Sequence, residues 1–178
     1  MTDETAREIE DFWTDAKIRA GLNPASAYTG PNAQDSVRPP AWSFGADPQT
    51  ADALLDLVLR GIKTATAGAL WDYEAEDEPL PSSGELAILL DGQGHPHALI
   101  RTVDVRVVPF DEVDAEHAHL EGEDDRSLAS WSRIHERFFI EHASHERGFS
   151  PDMPVVLERF EVLVPTGLRP DKPRFFGR

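Results

Sequence analysis

Between Asp47 and Gly61 the sequence writes out one helix with both ends marked, and the rest of the chain has to be arranged around it. Asp47 is placed to accept from the first free backbone N–H groups, Pro48 suits the first helical position, and Gly61 suits the left-handed residue that closes the last turn. Ala51, Leu54, Leu55, Val58 and Leu59 fall at i, i+3, i+4, i+7 and i+8, an apolar stripe that must be buried. The period then breaks. Lys63 to Ala67 has no helical repeat and reads as a short strand, so Gly61-Ile62-Lys63-Thr64-Ala65-Thr66 lies where a helix stops and a strand begins. Side chains at such junctions project into clefts, and Thr64 and Thr66 share a strand face. The competing local reading is a solvated Lys beside two strand-forming threonines.

Elsewhere the same periodicities predict a helix over 4–20, with Ile9, Phe12, Trp13, Ala16 and Ala20 on one side, then a Pro- and Gly-punctuated connector over 21–40. An acidic run over 72–78 and a turn over 79–84 precede strands at 86–90 and 97–108, which Asp91-Gly92 joins as a hairpin. A short helix over 113–120 and a longer one over 127–142 follow, the second with Leu128, Trp131, His135, Phe138, Phe139 and His142 as its stripe. A last strand covers 155–164, and the basic tail from 166 is expected to be loosely held. Strands interleaved unevenly with helices predict an α+β domain on a small, mostly antiparallel sheet or barrel.

Composition narrows the chemistry. With no Cys there is no disulfide, thiolate metal site or thiol nucleophile, which suits a cytoplasmic location. The acidic N-terminus and the interrupted apolar runs predict neither a signal peptide nor a membrane span. A net charge of −16 repels nucleic-acid phosphates and anionic lipid, so any RNA contact must be local. Of 17 basic residues only Lys17, Lys63 and Lys172 are Lys, which leaves Lys63 as the one in the middle of the chain.

The segment His117 to Arg126 gathers carboxylates for which three uses stand open: a divalent cation, a desolvated Glu as general acid or base, or Asp125 as the cap of the helix near Ser127. The seven His residues form no HExxH and are expected to pack or face solvent. No Walker loop, nucleophile elbow or dinucleotide fingerprint occurs. Trp42, Phe44, Trp71 and Tyr73 bracket the Lys63 segment; most are expected in the core, and one or two lining a pocket would give a flat base a stacking surface. Arg101, Arg106, Arg126 and Arg133 are candidates for a patch that holds RNA.

Taken in order, WSFG at 42–45, ADALLDLVLRGIKTATAG at 51–68, EDEPLPSSGELAILLDGQGHPHALIRT at 76–102, VPFDEV at 108–113 and HLEGEDDRSLASWSRIHERFF at 119–139 resemble the ASCH domain superfamily and its PUA-like β-barrel, in its longer bacterial branch. The resemblance implies an ASCH domain over 42–165, preceded by the helix and connector of 1–41 and followed by the tail of 166–178. It also implies a nucleobase- or RNA-related role, with a small nucleoside-like ligand or a short RNA as partner. Small members hydrolyse the amide of N4-acetylcytidine with a Lys, a Thr and a Glu, which match Lys63, Thr66 and Glu121. Thr64, Trp71, Tyr73 and Arg126 are the expected ligand contacts. Other members are ribonucleases; that reading would admit a divalent cation, whereas the amidohydrolase reading needs no cofactor. Two positions depart from the pattern. Gly68 stands where the small amidohydrolases carry an Arg, and Asp124 replaces the second Gly of Glu-Gly-Glu-Gly-Asp. Lys63 then has two possible roles: a desolvated base that activates Thr66, or an ammonium that pairs with Glu121 and fixes a ligand.

Overall fold

The structure, a computed structural model, describes residues 3–22 and 37–167. Most of the expected connector and nearly all of the tail lie outside the described residues. The chain divides into two compact units whose sequences interleave: one takes the chain up to Leu59, Leu86–Arg101 and the segment from Val162, the other Arg60–Glu85 and Thr102–Glu161.

In the first unit, helix α1 (Asp3–Arg19) buries Ile9, Trp13 and Ala16 with Ile88, Leu99 and Val164. Strand β1 (Ala41–Trp42) runs parallel to β3 (Leu86–Leu90). Helix α2 (Pro48–Leu59) starts as its sequence dictates: Asp47 accepts from the Thr50 N–H at 3.0 Å and from the Thr50 hydroxyl at 2.6 Å. Ala51, Leu55 and Val58 carry its buried stripe, and Gly61 closes the end at φ +71°. Strands β3 and β4 (Pro96–Pro109) form the expected hairpin, with Ile88 opposite Leu99.

The second unit holds β2 (Ala65–Ala69), α3 (Leu70–Glu76), a 3₁₀ turn at Phe110–Glu112, α4 (Ala115–Glu121), α5 (Leu128–His142) and most of β5 (Pro154–Val164). Strand β2 is antiparallel to β5, with Thr66 opposite Glu158 and Ala67 opposite Leu157. Because side chains alternate across a strand, Ala67, Ala69, Val155 and Leu157 face one way, onto Phe110, Trp131 and Phe139. Thr66, Gly68 and Glu158 face the other way. The strand order is β1-β3-β4-β5-β2, so the expected architecture holds: a five-stranded mixed sheet flanked by helices. Among the described residues no helix is long and apolar enough to cross a membrane.

Four local expectations are corrected. The start of the acidic run is helix α3, which buries none of its own residues and so leaves no apolar stripe to read. The strand after Lys63 begins at Ala65 rather than at Lys63. In α5, Phe138 and His142 lie outside the buried stripe, and Ser127 rather than Asp125 is the cap, its hydroxyl accepting from the Ser130 N–H. Asp125 instead accepts from the Ser127 N–H at 2.9 Å.

Candidate functional site

Two helices of the second unit each contribute a pair of residues four apart, which a helix places on one face. His117 and Glu121 come from α4, Trp131 and His135 from α5. The four meet at the Glu121 carboxylate. Its Oε1 accepts from Trp131 Nε1 at 2.7 Å and from His117 Nε2 at 3.0 Å, and His135 Nε2 lies 3.4 Å away. Its Oε2 accepts from Lys63 Nζ at 3.0 Å. Lys63 reaches this point because its segment is tied to the end of α4, the Thr64 N–H donating to the Leu120 carbonyl at 2.8 Å.

Both charged partners are sealed in: Lys63 and Glu121 are each 1% exposed. The Lys63 ammonium also donates to Glu123 Oε1 at 3.0 Å, and the Glu123 side chain, 21% exposed, is the part of this ion cluster that water reaches. Burial by itself would strip the proton from Lys63, but the two carboxylates outweigh it and hold the ammonium charged above its ordinary range. Burial likewise works against Glu121 as a carboxylate. Lys63, His135 and the His117 hydrogen bond overcome it and keep the acid ionised well below the usual range. His135 stacks on the Trp131 indole, 4.3 Å between centroids, and its Nδ1 bonds the Trp131 carbonyl at 3.0 Å. That contact puts a proton on Nδ1, so Nε2 can bond Glu121 only as imidazolium; accordingly, despite its burial, Glu121 pushes His135 up.

The loop between the two helices carries three residues of positive φ, Gly122, Asp124 and Arg126. Gly122 ends α4 at φ +78°, and a Cβ there would lie 2.7 Å from Ile62 Cγ2 and 3.0 Å from the Ile62 carbonyl oxygen. Gly122→Ala is therefore expected to lower stability by about 2 kcal/mol, read in urea unfolding, because strain and clash both fall beside Lys63. Asp124 adopts a left-handed backbone at φ +48°. Asp tolerates that region, and its carboxylate accepts from the Ser130 hydroxyl and from Arg133.

The other expected residues are placed as follows. Thr64 accepts from the Phe160 N–H through its carbonyl, and its side chain is half-buried. Thr66 is half-buried on β2 beside Glu158. Trp71 meets His145 edge to face and carries the Arg147 guanidinium 5.2 Å from its ring. Tyr73 lies over Gly68, where a Cβ would come within 3.1 Å of its ring, and it lines an open groove with Asp72, Glu76, Glu78 and Phe138. Arg126 donates through Nε to the His119 carbonyl at 3.1 Å. Of the candidate Arg patch, Arg106 is paired with Asp104 and Asp114, and Arg133 with Asp124, so their charge is answered locally.

Lys63 and Glu121 are thus brought into direct contact, and Thr66 stands in the Glu158 row of the sheet. Sequence reasoning missed His117, Trp131, His135 and Glu123 as partners. The i, i+4 spacing was visible, but nothing in one dimension says that two such pairs face each other. Glu121, Glu123 and His135 also present donor atoms within 4.8 Å of one another, a set suited to a cation. The Lys63 ammonium already bonds two of those three groups, so a divalent ion would have to displace it.

The ASCH domain family model matches residues 40–164 of this chain. A crystal structure of a protein from Enterococcus faecalis V583 is 35% identical, covers 88% of this chain and 88% of its own, and superposes with a TM-score of 0.75. The crystal structure of an ASCH domain from Lactobacillus crispatus JV V101 is 29% identical, covers 82% of this chain and 94% of its own, and has a TM-score of 0.67. No curated protein matches the chain.

Proposed function

The chain belongs to the ASCH domain family, and from that premise we propose that it acts on a small RNA-related ligand, hydrolysing the amide of a modified nucleoside of the N4-acetylcytidine type. The observation that carries this reading is the sealed contact between Lys63 and Glu121, 3.0 Å apart and drawn from positions 58 residues apart. A buried ion pair is a poor stability device, since apolar replacements of similar volume are often as stable or more so. Two charges kept in the interior by His and Trp donors point to a use beyond holding the fold.

Hydrolysis adds water across the C–N bond and releases a carboxylate and the free amino base. Lys63, held as an ammonium, is unsuited to deprotonate Thr66; it supplies positive charge to the oxyanion that develops on the attacked carbonyl. Glu121, bonded by Lys63, His117 and Trp131, holds that ammonium in position. Glu123, reached by solvent, takes the proton of the attacking group and returns it to the departing amine. The net charge and the locally answered Arg106 and Arg133 favour a small ligand over a long RNA.

Incubation with N4-acetylcytidine, followed by mass spectrometry, tests the reading. The parent is expected to release cytidine, and Lys63→Met and Glu121→Gln to slow release by about a hundredfold or more. Variants as fast as the parent would overturn it. Because the ammonium already stands between the carboxylates, a chelator is expected to leave the rate unchanged, and loss of turnover on chelation would count for a metal-dependent ribonuclease instead. A second reading, ligand binding without turnover, is favoured by the same charged state of Lys63 and predicts tight nucleoside binding with no product.

A further inference from the structure

Strand β4 outruns the neighbour on one of its edges. Its pairing with β3 ends where Leu86 lies opposite Arg101, and the turn before β3 adds one more step: the Thr102 N–H donates to the Glu85 carbonyl at 2.9 Å and the Gly84 N–H to the Thr102 carbonyl at 2.8 Å. The Ser83 hydroxyl then donates to the Val103 carbonyl at 3.1 Å. Strand β5 takes the opposite edge. From there to Pro109, where β4 ends and which has no N–H to give, no strand among the described residues continues the ladder on the β3 side. The stretch 103–107 is therefore an open strand edge, and open edges are templates for another strand. Nothing apolar covers its valines: Val103 and Val107 are each 45% exposed.

The order of residues along this edge is its own complement. Side chains alternate across a strand, so Val103, Val105 and Val107 share one face and Asp104 and Arg106 the other. In a second copy laid antiparallel and centred on Val105, Val103 falls opposite Val107, Val105 opposite its own twin, and Asp104 opposite Arg106 of the second copy. Centring on Asp104 or on Arg106 instead sets like charges face to face, and a shift by one residue sets valines against charges, so one register is selected. Within a chain Arg106 has only long contacts, 3.7 Å to Asp104 and 3.5 Å to Asp114, and its Nη2 makes no hydrogen bond. Asp104 and Arg106 stand two strand residues apart, about 6.6 Å, whereas residues directly opposite across a ladder have Cβ atoms about 5 Å apart, so the second copy offers the closer partner. The stretch is also neutral in a chain of net charge −16, which lets two copies meet here without local repulsion. We propose that two copies of this chain pair through 103–107 of β4, antiparallel and centred on Val105, in a two-fold dimer whose sheet runs through both copies. The interface is small, so the dimer is weak and forms by mass action as the protein is concentrated.

Sedimentation velocity of the full chain, from micromolar to submillimolar protein at physiological salt, tests it. The parent is expected to pass from the mass of one chain toward twice that mass, and its amide hydrogens over 103–107 to exchange more slowly as the concentration rises. Asp104→Arg sets like charges opposite each other at both outer positions and is expected to stay a monomer over the same range, as is Arg106→Asp. Mixed in equal amounts, the two variants again face each other with opposite charges at both positions and are expected to form a heterodimer, which misfolded chains could not do. A parent that keeps the mass of one chain throughout would overturn the inference. So would a dimer that either charge reversal leaves intact, or one whose exchange over 103–107 does not slow. A mixture that stays monomeric, with both variants folded by circular dichroism, would overturn it as well.

Discussion

Lys63→Met is expected to lower the unfolding free energy by about 3–5 kcal/mol, the usual cost of leaving a buried charge without its partner. The loss falls on Glu121, which would be a carboxylate 1% exposed with only His117, Trp131 and His135 to answer it. Apolar replacement of both partners does not rescue this site. Glu121→Leu would strand the Trp131 indole N–H and the His117 Nε2–H, each a buried donor worth about 1–3 kcal/mol when unsatisfied. The informative variant is therefore Lys63→Met with Glu121→Gln, which keeps an acceptor for both donors while removing the charge. Urea unfolding should find the double variant less damaged than the sum of the two singles by about 1–3 kcal/mol. Strict additivity would mean that the two residues do not act as a pair.

Acid should undo the same cluster cooperatively. Glu121 is held ionised below its unfolded value, so its contribution is present above about pH 4.3 and is lost as the pH falls through the lower folded value. Protonating it leaves Lys63 and His135 as buried cations with Glu123 alone to answer them. His135 runs the other way: its folded value is raised, so its contribution is complete below about pH 6.5 and is lost as the pH rises past the folded value. Lys63, also raised, weakens only above about pH 10.4. Glu158, raised by burial, favours the fold below about pH 4.3 and loses that contribution as it ionises. Stability should thus be greatest between about pH 5 and 6.5. Tm measured against pH checks this: Glu121→Gln should flatten the acid limb, and His135→Phe should flatten the fall above neutrality. An acid limb unchanged in Glu121→Gln would place the sensitivity elsewhere.

How far the sequence could be read depended on whether a signal was local. Asp47, Pro48 and Gly61 act on backbone groups within a turn of themselves, so α2 was legible to within a residue or two. The hairpin of β3 and β4 was legible for the same reason. Helix α3 was not, because Leu70–Glu76 is too short to be stable alone and buries none of its own residues. The site was half legible. Family resemblance named Lys63, Thr66 and Glu121, but Glu123 passed as a solvated acid of the loop.

What the sequence determined by itself was the set of elements, their order and the residues available for chemistry, since periodicity and capping are short-range. Only the tertiary structure decided how those residues are charged. The ionisation of Lys63 depends on two carboxylates that arrive from 58 and 60 residues away, each at 3.0 Å, and on the loss of water around all three. Desolvation alone would have made Lys63 a base, and the carboxylates make it a cation. The same long-range pairing sets Thr66 beside Glu158, on the face of the sheet turned away from the Phe110, Trp131 and Phe139 core.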